Sequence, residues 1–341
     1  MSKQKPKSIN ALMKYLRDEK GMKINGSSQK RKLKNIGYYH GYKGFRYIRK
    51  PSNQIKYSNF DELLAIQEFD SQIKAILYPW VMFIETALKN YVLDVVVEMV
   101  ESDSFVDVYN NLLDNYKQYS TKGSTKKEEK KKNTTEDSFK KNLKRRLDLR
   151  TRVYKLQAEA FNNGNKIAVH YLSNDSSIPI WGIFELLTLG EFGHFVSCLN
   201  LKCRKEISKS LGIRQSDDTN AMIPQRLIYA TKDLRNAIAH NDVVFDARFK
   251  TGEIDNQLKR TIGNAIGINN VSFDTITDYI ILIVYQLKLL GVPKNEIKRL
   301  IGDYTDRVEK LRNSIPVNIF NQIIYTDNNQ KIGFIRRYIQ Q

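Results

Sequence analysis

Cysteine is nearly absent from this chain of 341 residues: only Cys198 and Cys203 occur. That excludes a disulfide scaffold and a four-thiolate zinc site, and it fits a reducing compartment. With only four histidines besides, there is little room for transition-metal chemistry, so no metal and no cofactor is expected. Glycine and proline are scarce, at 17 and 7, which rules out collagen-like and proline-rich architectures. Long hydrophobic runs are missing too. The most apolar stretch, Tyr279 to Tyr285 (YIILIVY), is far short of the ~20 residues that cross a bilayer. The chain opens MSKQKPKSIN, basic but without the apolar segment of a secretory signal. The expectation is a soluble, cytoplasmic protein with no membrane partner.

Positive charge, by contrast, is in excess. Lys and Arg number 56 against 37 Asp and Glu, a net of +19 and a pI near 9.6. That surplus exceeds what solubility requires and points to nucleic acid phosphates, with RNA as the expected partner. Hydrophobic residues reach 41%, enough for a folded core. The length suits two units, or one domain with appendages.

The charge is concentrated. Lys117 to Lys155 holds 15 Lys/Arg and 5 Asp/Glu, a local net of +10. Its first part, STKGSTKKEEKKKNTTEDS, is polar and of low complexity, which predicts a mobile loop over 120–138. Its second part spaces Phe139, Leu143, Leu147 and Leu149 as a basic amphipathic helix. The arm is either a solvated face or a phosphate-binding device. On the second reading, Lys126, Lys127, Lys130, Lys131 and Lys132 of the loop would hold RNA. Lys140, Lys141, Lys144, Arg145 and Arg146 of the helix would join them.

A second basic stretch, Lys34 to Tyr47, reads KNIGYYHGYKGFRY. Its three glycines break any regular helix. Tyr38, Tyr39, His40, Tyr42, Lys43 and Arg46 could stack bases and hold phosphates. Alternatively the tyrosines pack as a small satellite on the main domain.

Elsewhere the spacing is helical, and the fold class is mainly α. From Asn59 onward, Phe60, Leu63, Leu64, Ile66, Phe69, Ile73 and Leu77 recur at three- and four-residue steps. Ser58 or Asn59 caps the start, and Pro79 should kink or split the helix. Further helices are expected from Ile178-Pro179, interrupted by Gly190 and Gly193, then over 195–211, 222–240, 275–290 and 293–311. The tail IIYTDNNQKIGFI reads as a short β-hairpin turning at Asp327-Asn328-Asn329. Composition divides the chain into 1–58, a helical domain over 59–300 with a basic insertion over 105–165, and an extension over 301–341.

Only one stretch carries chemistry: Leu234-Arg235-Asn236-Ala237-Ile238-Ala239-His240-Asn241. At about 100° per residue, Leu227, Ala230, Leu234, Ala237 and Ile238 share a buried stripe. Arg235, Asn236, Ala239 and His240 fall on the opposite side, where nothing serves the core. Histidine as a residue type can take the proton of a ribose 2′-hydroxyl or give one to the leaving 5′-oxygen. Arginine offers a permanent forked charge for the scissile phosphate, and Asn236 could orient the imidazole. One imidazole does not readily serve as both acid and base, so two copies of this face would be needed. The competing reading has His240 ending the helix and Arg235 in an ion pair. His170 and His194 lack partners at useful spacing, and the two cysteines read as buried small residues.

LRNAIAHN resembles the RxxxxH motif of HEPN-domain ribonucleases. Other segments resemble the bacterial abortive-infection (Abi) proteins of the AbiD/AbiF type, in family order over roughly residues 10–245. NIGYYHGYKGF resembles the amino-terminal segment of that family. FDELLAIQEFDSQIKAILYPWVMFIETALKNYV is similar to its long helix, and IPIWGIFELLTLGEF to its tryptophan–glutamate segment. His40 and Lys89 stand where the family usually has arginine, and Thr188-Leu189-Gly190 replaces Ser-Phe-Gly. The resemblance implies a HEPN-like helical bundle that dimerises, with Arg235, Asn236 and His240 at the dimer cleft. It implies metal-independent endoribonuclease activity in defence against phage, and association with a structured noncoding RNA. Glu85 and Glu185 match acidic positions of the family, either as buried partners of an arginine or as support beside Arg235. Asn241 is a further supporting candidate. The alternative function is a catalytically silent RNA-binding protein that forms a ribonucleoprotein.

Overall fold

The computed structural model describes residues 7–114 and 126–341, with backbone alone for 126–139. The chain begins with α1 (Ile9–Asp18), capped by the Ser8 hydroxyl accepting from Ala11 N–H, and α2 (Ser27–Tyr38). Gly37, at φ 75°, breaks the last turn of α2, and Tyr39–Lys43 continues as one π-helical turn. Helix α3 (Phe60–Val100) is 41 residues long. Asn59 Oδ1 accepts from Glu62 N–H at 2.9 Å while the Glu62 carboxylate accepts from Ser58 N–H at 2.8 Å, so both expected capping residues take part. Pro79 lies within α3 without splitting it.

Next come α4 (Phe105–Asn111) and α5 (Lys126–Asn162). The loop expected over 120–138 is thus corrected in part: from Lys126 the backbone is helical, in keeping with its many lysines and glutamates. Residues 120–125 lie outside the described residues. Helices α6 (Lys166–Leu172), α7 (Ile180–Leu186), α8 (Leu189–Cys198) and α9 (Leu201–Ser210) follow. The breaks here fall at caps rather than at the glycines. Thr188 and Glu191 form a reciprocal capping box at the start of α8, and Asn200 caps α9. Gly193 sits inside α8, where an added Cβ would lie 3.0 Å from the Tyr229 ring.

The remainder is α10 (Ile223–Ala239), α11 (Asn256–Ile266), α12 (Ile276–Leu289), α13 (Lys294–Arg312), α14 (Val317–Ile324) and α15 (Asn328–Gln340). The expected C-terminal hairpin is corrected: that stretch is the end of α14 and most of α15. Ile332, Ile335, Tyr338 and Ile339 are buried at helical spacing, and the supposed turn residue Asn328 is buried, its Oδ1 accepting from Thr277 at 3.0 Å.

The chain divides into two compact units, Met1–Met82 with Asp233–Gln341, and Phe83–Lys232. The boundaries drawn from composition at 58/59 and 300/301 both fall inside the first. The first unit is built on α12, whose residues Ile276 to Leu287 are all buried, as expected of a helix that is apolar on every side. Helices α11, α13 and α15 pack on it. A buried charge pair meets α12: Lys331 Nζ lies 2.9 Å from Asp278 Oδ1. In the second unit α5 packs on α6, α7 and α8, beside a cluster of Phe184, Phe192 and Phe195. Among the described residues no helix is long and apolar enough to cross a membrane.

Candidate functional site

Leu227, Ala230, Leu234, Ala237 and Ile238 of α10 are buried, the stripe that the spacing predicts. Arg235 and Asn236 are half-buried, and Ala239 and His240 are exposed. Arg235 Nη1 lies 3.4 Å from Asn236 Oδ1.

The end of α10 is fixed by backbone geometry. Asn241 adopts φ 56°, a left-handed conformation that asparagine tolerates better than most residues. Its N–H donates to Ile238 C=O at 3.2 Å, and Asp242 N–H donates to Ala237 C=O at 2.8 Å. This pair of bonds is a Schellman cap, and it makes His240 the C-cap residue just after α10, beyond the core stripe. Two residues of α3 hold the cap from outside. Lys74 Nζ donates to Asn241 Oδ1 at 2.6 Å and to Asp242 C=O at 3.1 Å. Asp70 Oδ1 accepts from Val244 and Phe245 N–H at 2.6 and 2.8 Å, and its other oxygen pairs with Lys74 at 2.8 Å. Burial pushes the Asp70 carboxyl up, against the pull of Lys74 and the two N–H donors.

The glycine–aromatic segment docks on the chain just beyond His240. Phe45 stacks on Phe245 with centroids 5.6 Å apart. Gly44 passes so close to Val243 that a Cβ would sit 3.1 Å from Val243 Cγ2. Arg248 locks the junction, donating to Asp246 and to the carbonyls of Gly44 and Tyr47 at 2.8 and 2.5 Å. The tyrosines therefore divide. Tyr42 is buried, Tyr38 packs on it, and Tyr39 is 54% exposed. Lys43 is exposed, and His40 and Arg46 are half-buried.

The other sequence candidates lie in the second unit. Lys140, Lys141 and Lys144 are exposed on α5, but the adjacent arginines point inward. Arg145 donates to Ser197 C=O at 2.8 Å, while Arg146 donates to the carbonyls of Asp114 and Tyr109 and lies over the Tyr109 ring. The side chains of Lys126, Lys127, Lys130, Lys131 and Lys132 lie outside the described residues. Glu85 is buried, 3.4 Å from Lys89, whose ammonium also donates to Leu187 C=O; Glu185 is exposed. Both cysteines are buried, and His194 is half-buried with Nε2 3.8 Å from Cys198 Sγ. Among the described residues no cluster of three His, Cys, Asp or Glu could hold a metal ion.

The profile of the Abi-like protein family matches residues 31–246. The chain belongs to the Abi-like protein family. No curated protein and no solved structure matches it. Membership suggests a role in abortive infection, a defence against phage. The matched span of this Abi-like chain begins in α2 and ends at Asp246, whose carboxylate accepts from Arg49 N–H and holds the Arg248 guanidinium. Asp70 and Lys74 were missed in the residue reading. Within α3 they look like any solvated i, i+4 pair, and their partners lie more than 160 residues away.

Proposed function

We propose that this Abi-like protein is a metal-independent HEPN endoribonuclease that cleaves RNA at a composite site formed by two copies of the chain. The single observation carrying this reading is the polar face of α10. Arg235, Asn236 and His240 stay out of the core, and the chain that follows them, from Asn241 to Phe245, is held by Asp70 and Lys74. An imidazole at a rigid helix end is preorganised for proton transfer, which raises its catalytic worth.

In the reaction, the His240 imidazole takes the proton of a ribose 2′-hydroxyl. The 2′-oxygen attacks the adjacent phosphorus and the bond from phosphorus to the 5′-oxygen breaks. The imidazolium of the second copy returns a proton to that 5′-oxygen. The products are a 2′,3′-cyclic phosphate and a 5′-hydroxyl. Arg235 neutralises the charge that gathers on the phosphoryl oxygens, and Asn236 steers its guanidinium.

The test is cleavage of total RNA by purified protein in EDTA. His240→Ala and Arg235→Ala should each lower the rate by at least 100-fold, on the order of a lost general acid–base or a lost oxyanion donor. Circular dichroism and light scattering should show the fold and the dimer intact. Activity that needs a divalent metal, or that survives His240→Ala, overturns the reading.

A second reading is an RNA holder without turnover, bound to or regulated by a structured noncoding RNA. The exposed Lys140, Lys141 and Lys144 favour it. RNA that copurifies with the protein separates the two. A defined small RNA in stoichiometric amount supports the holder; heterogeneous fragments with cyclic phosphate ends support the nuclease.

A further inference from the structure

Independently of any RNA cleavage, the first unit contains a cavity of about 490 Å³ that the α10 face does not use. Three stretches far apart in sequence build it: residues 48–53, residues 246–253, and Tyr325, with Asp274 beside them. Pockets of roughly 300–1,000 Å³ are the size that takes small organic ligands.

The charges in its lining are unequally satisfied. Arg248 is committed to Asp246, at 2.6 Å, and to two backbone carbonyls. Lys250 pairs with Asp274 at 3.0 Å and with Glu253 at 3.6 Å. Arg49 and Lys50, by contrast, have no carboxylate at ion-pair distance among the described residues. Arg49 is nevertheless held in place. Its guanidinium donates to the carbonyls of Asp274 and Gln322 at 3.2 and 3.1 Å and lies 4.7 Å from the Tyr325 ring centroid. A cation aimed by neutral groups keeps its full charge for a ligand. Lys50 is exposed. The lining also carries acceptors: the Asp274 and Glu253 side chains are 43% and 82% exposed.

The backbone adds a second, independent observation. Arg49, Ala247 and Tyr325 adopt φ of 59°, 56° and 64°. Non-glycine residues are uncommon there because Cβ crowds the backbone. Such conformations persist where surrounding structure enforces them, and they gather at ligand clamps. All three line this one cavity.

We propose that the cavity binds a nucleoside phosphate, with Arg49 and Lys50 on the phosphate and the Asp274 carboxylate accepting from ribose hydroxyls. A bare phosphate would use the cations but leave most of the volume and the carboxylates without a role. The phosphate can belong to a free nucleotide or to the 5′ end of an RNA, which present the same chemistry.

The experiment is calorimetric titration of the full-length protein with each of the four ribonucleoside monophosphates and with inorganic phosphate. A 5′-phosphorylated RNA oligomer is compared with its 5′-hydroxyl twin. At least one monophosphate should bind, and inorganic phosphate should bind at least tenfold more weakly. Lys50→Glu, on an exposed side chain that leaves the fold untouched, should weaken the monophosphate at least tenfold. Asp274→Asn should weaken the monophosphate and leave inorganic phosphate unchanged. If the oligomer pair differs while free monophosphates bind weakly, the ligand is an RNA end; the reverse assigns a free nucleotide. The proposal is overturned if no monophosphate binds and the oligomers bind alike, or if Lys50→Glu binds as the wild type does.

Discussion

Two basic stretches look equally suited to RNA in the sequence, and the structure treats them differently. In residues 34–47 most of the aromatic surface is consumed: Phe45 is 1% exposed and Tyr42 5%, and Gly44 serves close approach to Val243. In α5 Arg145 and Arg146 turn inward to backbone carbonyls, while Lys140, Lys141, Lys144 and Arg150 are exposed. Interleaved aromatics and glycines thus mark a docking segment, whereas the run of charge splits by helix face, with Arg145 and Arg146 on the inner one. The planar guanidinium can serve several fixed carbonyls, and a lysine on a flexible stem stays hydrated more cheaply.

The contrast can be broken from either side. The largest effect is expected at Asp70, which anchors the stretch on which residues 34–47 dock. Asp70→Ala leaves two buried N–H groups without their acceptor and Lys74 without its carboxylate and should cost about 4 kcal/mol of unfolding free energy in urea titrations. Asp70→Asn keeps one acceptor and should cost less. Phe45→Ala, which removes a fully buried ring, should cost about 3 kcal/mol. A loss below about 1 kcal/mol would mean that the segment is not docked.

A smaller effect is expected at Glu191, where α5 meets the capping box of α8. Burial alone would raise this carboxyl, but the Thr188 N–H and hydroxyl, with Arg152, outweigh it and hold it below its ordinary 4.5. A lowered acid stabilises the fold fully above that ordinary value and loses the contribution as pH falls through the lowered one. Wild type and Glu191→Gln should therefore differ in urea midpoint at pH 7, and the difference should shrink as pH falls below 4.5. The smallest stability change, within about 0.5 kcal/mol, is expected for the triple change of Lys140, Lys141 and Lys144 to Ala. If that face holds RNA, the salt slope of binding should nonetheless drop by roughly 2 to 3.

Helix α10 was legible because its burial follows a simple angular rule from Leu227 to Ile238. The same holds for α12 and α13, whose apolar positions and flanking prolines or glycines mark their ends. Misreadings came where local chemistry has two meanings. Asp327-Asn328-Asn329 suits a hairpin turn, yet it also suits the start of a helix, and the burial of Ile335 and Ile339 four residues apart decides for the helix. Helix α11 went unread although Asp255 caps it and Gly267 closes it. The support of His240 was illegible in principle, since the Asp70 and Lys74 contacts join residues brought near only by the complete fold.

The left-handed backbone at Asn241 sets a rule for which side chains position 241 can carry. In a saturation library selected for phage resistance, glycine and aspartate should survive there, and valine, isoleucine and threonine should vanish. The tolerated alphabet next to the imidazole would be dictated by a torsion angle of the backbone.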